Sequence, residues 1–275
     1  MTPFSIVIPA YNESKLIAHR IELLANSLPP NCNEVIIVCN GCIDDTEGYA
    51  QEAINKIEQS HCLFKIESLP VGCKVSALNY GVACSSNKYI VLLDADIDIS
   101  GFDCATLLSA LEQKKLMAAS PRARFNFEHS SYLVKKFYRC VSQSSYNSTH
   151  RIANVIALTP HAVEQLFPLP KVIADDAYIQ RSIGHSHYQV VEELSYIFYC
   201  PKTVLSALKV QTRIIRGNLE LRRDYPKLIA PPSVLPAMRF KDKLIFYSFK
   251  LLAFTMAKLE LSLNIHKWHK DDSSR

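Results

Sequence analysis

The sequence predicts an α/β fold, a mostly parallel central sheet flanked by helices with a helical extension at its C-terminal end. Four β-branched runs recur at nearly equal intervals, at residues 4–9, 34–38, 62–66 and 89–93. Between them lie stretches with apolar residues three and four apart: Leu16, Ile17, Ile21 and Leu24, then Ala50, Ala53, Ile54 and Ile57, then Val75, Leu78 and Val82. Strand, helix and strand in repetition make crossover units, and short continuous apolar strands suit a parallel sheet buried on both faces. In such a sheet, ligands belong at the carboxyl ends of the strands.

After residue 100 the rhythm loosens. A helix is expected near 103–113, a strand near 116–120, a long helix near 130–146 and a strand near 153–158, with the sheet continuing in mixed direction. A helix starting near Asp175, two strands around 188–199 and a helix over 202–223 follow. Pro226, Pro231, Pro232 and Pro236 then mark a linker, because proline lacks an N–H and clashes with the preceding turn. A last helix is expected over 240–265. The organisation read from this is a globular domain at 1–225, a Pro-rich linker at 226–239, and a C-terminal amphipathic helix and tail at 240–275.

The chain has 275 residues, 48% of them apolar, and only 7 Gly, which excludes disordered and collagen-like classes. Nine irregularly placed cysteines read as reduced thiols rather than a disulfide framework, and Met1-Thr2-Pro3 does not open a signal peptide. A cytoplasmic protein is expected. Residues 1–201 carry a net charge of −4 and residues 202–275 a net charge of +9. A basic quarter of this kind suits an anionic membrane surface or a phosphorylated substrate. No nucleic-acid-binding motif accompanies it, and no apolar run reaches the roughly 18 residues of a membrane span.

The strand ends carry the chemistry. The first closes on Pro9, Ala10, Tyr11, Asn12 and Glu13, where a flat ring beside amide and carboxylate groups suits a nucleobase. Asn12 also has the character of a helix cap. The second closes on Cys39, Asn40, Gly41 and Cys42. The Asn40 amide offers the donor and acceptor that match uracil, and a zinc or redox reading of Cys39 and Cys42 lacks the second pair a zinc ribbon needs. Lys74 sits in the first turn of the third helix, in reach of a diphosphate at the helix N-terminus, with a solvated lysine as the plain alternative.

The fourth strand closes on Asp94, Ala95 and Asp96. Strand alternation puts the two carboxylates on one face, where they would repel each other unless solvated or bridged by a cation; oxygen ligands without a histidine cluster suit Mg2+ or Mn2+ shared with substrate phosphates. Asp175 and Asp176 stand where a helix begins, one as a cap, the other free to act as a general base. Arg213 and Arg216, three apart on a helix, suit a diphosphate or form a solvated basic face.

In order, Val-Ile-Pro-Ala-Tyr-Asn-Glu, Asn-Gly-Cys-Ile-Asp-Asp-Thr, Lys-Val-Ser-Ala-Leu-Asn-Tyr-Gly, Asp-Ala-Asp, Asp-Asp-x4-Arg and Arg-x-x-Arg resemble the motifs of glycosyltransferase family 2, over residues 4–217. The resemblance implies a GT-A fold, an inverting transfer from a nucleotide diphosphate sugar to an acceptor hydroxyl, and Mg2+ or Mn2+ at Asp94 and Asp96. It implies that Pro9, Ala10, Tyr11, Glu13, Asn40 and Lys74 hold the nucleotide, with Asp94 beside them. Asp176, paired with Asp175, becomes the base, and Arg213 and Arg216 assist at the diphosphate or at an acceptor phosphate.

Three departures refine the expectation. Cys39-Asn40-Gly41-Cys42 stands where the family has Asp-Asp-Gly-Ser, which leaves the base open between uracil and guanine. Asp175-Asp176 replaces Glu-Asp. Processive synthases of the family carry Gln/Arg-x-x-Arg-Trp and membrane spans, whereas this chain has Gly217 after Arg216, which favours single addition in glycan, polysaccharide or glycolipid biosynthesis. A catalytically degenerate binding module and a sugar-phosphate nucleotidyltransferase are the other classes, the latter expected to have a Gly-rich first loop. In the last helix, Ile245, Phe249, Leu252, Met256, Leu259 and Leu263 form an apolar stripe widened by Phe246, Leu251, Phe254 and Leu261 and flanked by Arg239, Lys241, Lys243, Lys267 and Lys270. That excess predicts a helix lying peripherally on an anionic membrane, pairing in a homodimer, or docked on its own core.

Overall fold

A computed structural model describes residues 2–57 and 61–263. Seven strands form one sheet in the order β3-β2-β1-β4-β6-β5-β7. They are β1 (Phe4–Ala10), β2 (Cys32–Asn40), β3 (Leu63–Leu69), β4 (Tyr89–Leu93), β5 (Ala118–Asn126), β6 (Val155–Leu158) and β7 (Tyr188–Tyr199). Strands β3, β2, β1 and β4 are parallel, and β6 runs antiparallel to both β4 and β5. The mixed direction expected after residue 100 is therefore present. The expected pair of strands around 188–199 is one continuous strand.

The chain groups into two compact units. The first takes residues 1–121, 152–171 and 182–196; the second takes 122–151, 172–181 and 197–275. Strands β5 and β7 each begin in one unit and end in the other.

In the first unit, α1 (Ile17–Ala25), α2 (Thr46–Asn55), α3 (Lys74–Ala83) and α4 (Gly101–Lys114) are the crossovers. Every residue of β1 is buried, as a central strand covered on both faces requires. Its Ser5 hydroxyl donates to Glu34 on β2 at 2.7 Å, and the same carboxylate takes Lys65 Nζ at 2.5 Å and the Ser86 N–H at 3.0 Å. Burial opposes the Glu34 charge, but Lys65, Ser86 and Ser5 together outweigh it and hold the carboxyl below its ordinary value. A short α6 (Pro160–Leu166) follows Thr159, whose hydroxyl accepts the Ala162 N–H. The sequence pattern did not reveal this helix.

The second unit is built from α5 (Tyr132–Ser142), a π-helical turn at Tyr146–His150, α7 (Asp175–Ile183), α8 (Val204–Asp224) and α9 (Phe240–Ser262), with α7 ending in the first unit. No regular element lies between α8 and α9, in keeping with the proline-marked linker. Helix α9 packs on α8 and α5. Phe137 stacks on Phe246 at 5.4 Å and on Phe249 at 4.8 Å, and Tyr138 meets Phe137 edge-on. Such ring pairs add to the area they bury. The buried stripe of α9 is Phe246, Phe249, Ala253 and Ala257; the two phenylalanines belong to the apolar surface read from the sequence, the two alanines do not, and Leu252, Leu259 and Leu263 stand exposed. The predicted end of this helix at 264–265, with Lys267, Trp268 and Lys270, lies outside the described residues.

Candidate functional site

The first unit gathers its predicted residues on the carboxyl ends of β1, β2 and β4. Pro9 and Ala10 are the last residues of β1, inside the sheet. The chain then turns through Asn12 at φ 53°, a left-handed conformation that asparagine tolerates. Asn12 does not cap α1; its Oδ1 accepts the Ile43 N–H at 2.9 Å and so pins the loop after β2. Glu13 is buried, its N–H donating to Thr46 Oγ1 at 2.7 Å.

Beyond β2, Gly41 has φ 62° and packs so closely on the 71–72 backbone that a Cβ would lie 2.2 Å from the Gly72 nitrogen. Only glycine satisfies both conditions. A Cβ on Gly72 would lie 2.9 Å from the Tyr11 ring, so the ring lies against bare backbone. Asn40 is 2% exposed, its Nδ2 donating to the Ala10 carbonyl at 2.8 Å and its Oδ1 accepting the Cys73 N–H at 3.0 Å. The amide expected to read a base ties β1 to the start of α3, the helix that opens with Lys74. On the same loop Cys42 Sγ accepts the Asn12 N–H at 3.5 Å, and a hydrogen bond accepted from the Cys39 thiol lowers Cys42 to about 6 and raises Cys39.

Beyond β4, Asp94 and Asp96 are half-buried and Ala95 between them is buried; the strand ends at Leu93 and a turn replaces the strand alternation expected here, with the Ile97 N–H donating to the Asp94 carbonyl at 3.1 Å. Lys74 Nζ meets Asp94 Oδ1 at 2.9 Å. Asn154, at φ 65°, donates from Nδ2 to Asp94 Oδ2 at 2.9 Å, and its carbonyl accepts the Asp94 N–H at 2.8 Å. Tyr196 in turn donates its hydroxyl to Asn154 Oδ1 at 2.9 Å. Below the turn, the buried Arg20 pairs with Asp98 at 2.7 Å and donates to the Ala95 carbonyl at 3.4 Å. Asn154, Tyr196 and Arg20 escaped the sequence reading because no local pattern links them to Asp94. Asn79 of α3, part of the Lys74 motif, hydrogen-bonds the Leu169 backbone through both ends of its amide, a structural use.

Two adjacent carboxylates, supplied only with oxygen, fit a hard divalent cation that draws its remaining ligands from water and phosphate. Among the described residues no three His, Cys, Asp or Glu side chains form a closed cage. None of the nine cysteines, all described, is disulfide-bonded.

The second unit holds Asp175, Asp176, Arg213 and Arg216. Asp175 and Asp176 open α7, where the helix dipole favours negative charge; Asp175 is buried and Asp176 half-buried. Gly217 of α8 sits so close that a Cβ would come within 2.8 Å of the Ala174 Cβ, just before the acidic pair. A tryptophan here, as in the processive synthases, has no room. Gln180, one turn after Asp176, donates to the His150 carbonyl, and Arg181 donates to Asn218 Oδ1. Burial pushes the Tyr146 phenol up and the Arg181 guanidinium down. Arg216 is 3% exposed and its Nη1 meets Glu260 of α9 at 2.8 Å, so a phosphate reaching it would compete with a carboxylate. Arg213 is half-buried.

The fold is shared with glycosyltransferases of known structure. A mannosyltransferase from Pyrobaculum calidifontis, in complex with GDP-Man and Mn2+, superimposes with a TM-score of 0.66 at 17% identity, over 98% of this chain and 77% of the other. S. aureus TarS 1-349 with UDP-GlcNAc gives 0.57 at 13%, over 96% and 76%. Glucosyl-3-phosphoglycerate synthase from Mycobacterium tuberculosis, with Mn2+, UDP and glucosyl-3-phosphoglycerate, gives 0.57 at 15%, over 84% and 81%. No curated protein matches the sequence significantly. The profile of "Glycosyl transferase family 2" matches residues 5–167, more than half of the chain. With its mixed sheet and the acidic pair at the end of β4, this chain belongs to glycosyltransferase family 2 and has the GT-A fold.

Proposed function

We propose that the protein is an inverting, single-addition glycosyltransferase that moves a hexosyl or N-acetylhexosaminyl group from a nucleotide diphosphate sugar, UDP-linked for preference, to an acceptor hydroxyl in glycan, polysaccharide or glycolipid biosynthesis. The observation that carries this reading is Asp94 and Asp96 at the end of β4 with Lys74 Nζ 2.9 Å from Asp94. The Tyr11 ring against Gly72 supports a stacking place for the base. Asn40 then acts through the backbone it clamps, setting the first turn of α3 and hence Lys74, while Glu13 holds the loop after β1. A bound Mg2+ or Mn2+ would be held by Asp96 and Asp94 and would supply charge neutralisation for the leaving diphosphate.

Asp176 takes the proton from the acceptor hydroxyl as it attacks the anomeric carbon from the face opposite the diphosphate, and Asp175 keeps the helix start in place. Arg213 serves the diphosphate or an acceptor phosphate; Arg216 serves through Glu260 and the setting of α8. In domain terms, residues 1–225 are the catalytic part, 226–239 the linker and 240–275 a helix and tail docked at the cytoplasmic face of an anionic membrane.

Calorimetry of UDP and of GDP with Mn2+, on the wild type and on Asp96→Ala, tests the reading. Binding of one nucleotide that depends on Mn2+ and falls at least tenfold in the variant is expected; no heat with either nucleotide overturns it. A binding module without catalysis is separated by donor hydrolysis, which Asp176→Asn abolishes in an enzyme while nucleotide affinity persists.

A further inference from the structure

The chain end of β2 carries two thiols that the transferase reading leaves without a task. Cys39 pairs across the sheet with Ala10, and Cys42 Sγ lies 3.5 Å from the Ala10 carbonyl oxygen, so both cysteines gather beside one residue of β1. The turn between them passes through Gly41 at φ 62°, and the two thiols share a hydrogen bond. Cys39 is 2% exposed, whereas Cys42 is half-buried and stands next to Ile43, which is 90% exposed. A zinc ion would need further ligands, and among the described residues no three His, Cys, Asp or Glu side chains gather.

A half-exposed sulfur beside a sequestered one divides the work of disulfide chemistry. The Cys39 thiol and then the Asn12 N–H, at 3.5 Å, donate to Cys42 and lower it to about 6, although burial and the Asp44 charge oppose them. Thiolate is the form that attacks a peroxide. The same bond, with burial and the Cys42 charge, pushes Cys39 up. The bond and the charge both vanish once Cys42 is oxidised, so the second thiol is freed by the step that needs it. The other close pair, Cys32 and Cys62 with sulfurs 3.9 Å apart, is buried on both sides and offers an oxidant no entry.

We propose that Cys42 and Cys39 are a peroxide-responsive pair that closes to a disulfide and loosens the loop of Tyr11. The Cys42 thiolate attacks one oxygen of a hydroperoxide, the O–O bond breaks, the other oxygen takes a proton and leaves as water or an alcohol, and Cys42 becomes a sulfenic acid. The Cys39 sulfur then attacks Cys42, the S–O bond breaks, and hydroxide leaves as water with the Cys39 proton. The thiols give up two electrons and the peroxide takes them; a dithiol reductant reverses the change. A sulfur–sulfur bond of about 2.05 Å draws Cys42 off the Asn12 N–H and replaces a charged acceptor with a neutral one. Asn12 ties the Tyr11 loop to the loop after β2 through this bond and through the Ile43 N–H, and one of the two ties is lost. Only the consequence for a nucleotide rests on the transferase reading.

The test uses the full chain, reduced and then exposed to hydrogen peroxide. Mass spectrometry of the digest should find a Cys39–Cys42 disulfide, reversed by dithiothreitol, before any other cysteine pair. In Cys39→Ala, dimedone should trap a sulfenic acid at Cys42. Hydrogen exchange over residues 11–13 should quicken in the oxidised wild type and stay constant in peroxide-treated Cys42→Ser. In calorimetry with Mn2+, oxidation should weaken UDP or GDP about tenfold, the size of one lost hydrogen bond to a charged group. If neither nucleotide binds the reduced protein, the transferase reading fails, while the disulfide map and the exchange still decide the thiol pair. Cysteines 39 and 42 left reduced by peroxide, a disulfide through Cys32, Cys62 or Cys73 formed first, or exchange over 11–13 unchanged by oxidation overturns the proposal.

Discussion

The two units hold their candidate ligand groups by different physical means. In the first, Asp94, Asp96, Tyr11 and Lys74 stand at strand ends or at a helix start, half-exposed, on turns fixed mostly by backbone and amide hydrogen bonds such as those of Asn40, Asn12 and Asn154. In the second, Arg216 is sunk between helices in an ion pair with Glu260, and Gly217 is wedged against Ala174. A group at a strand end can be exchanged without disturbing the sheet beneath it. A group between helices is part of what keeps the helices together. The first arrangement isolates chemistry from stability and the second merges them.

The comparison breaks most sharply at the acidic pairs. Asp176→Asn should lower turnover by about 1,000-fold at unchanged nucleotide affinity, measured by donor turnover and calorimetry, because a positioned base contributes factors of roughly 10² to 10⁴. Arg216→Ala should cost about 3 kcal/mol in urea unfolding by leaving Glu260 without its partner, whereas Arg216→Met with Glu260→Leu should recover most of that loss. If the single variant unfolds like wild type, the merged character of the second unit is wrong. In the first unit, Tyr196→Phe should cost only about 1 kcal/mol, since it removes one hydrogen bond to Asn154, but it should weaken Mn2+-dependent nucleotide binding by loosening Asp94.

Two smaller effects sharpen the picture of the first unit. Glu34 is held below its ordinary value of 4.5 in the folded protein, so its contribution is present above that pH and is lost as pH falls through the folded value. Urea midpoints should therefore drop below about pH 4.5, and the drop should be shallower in Glu34→Gln. Cys42, lowered to about 6, should react with iodoacetamide ahead of the other thiols, its rate rising through pH 6 and falling to the background in Cys42→Ser.

Much of the first unit was legible because its signals are local. A continuous apolar run followed by Asp-Ala-Asp fixes a buried strand and its end within a few residues. An amide at a strand end reads the same whether it faces a base or a backbone, so the bonds of Asn40 to Ala10 and Cys73 become visible only in the crossing of β1, β2 and α3. Asn154 and Tyr196 were invisible for the opposite reason, since they reach Asp94 from distant parts of the chain. In α9 the sequence marks Phe246 and Phe249 among the apolar residues, and their rings stack on Phe137, while the buried face continues through Ala253 and Ala257. Alanine carries little weight in a hydropathy pattern, so that continuation of the packed face is not legible in it.

The Arg216–Glu260 pair also sets an order of events during synthesis. All segments of the first unit have been made by residue 196, so it can close while the chain is still growing. The second unit draws on residues 122–151, then 172–181, then 197–275, and its buried guanidinium on α8 meets the α9 carboxylate only after residue 260 has left the ribosome. Until then Phe137 of α5 lacks the rings of Phe246 and Phe249, and Arg216 of α8 lacks Glu260.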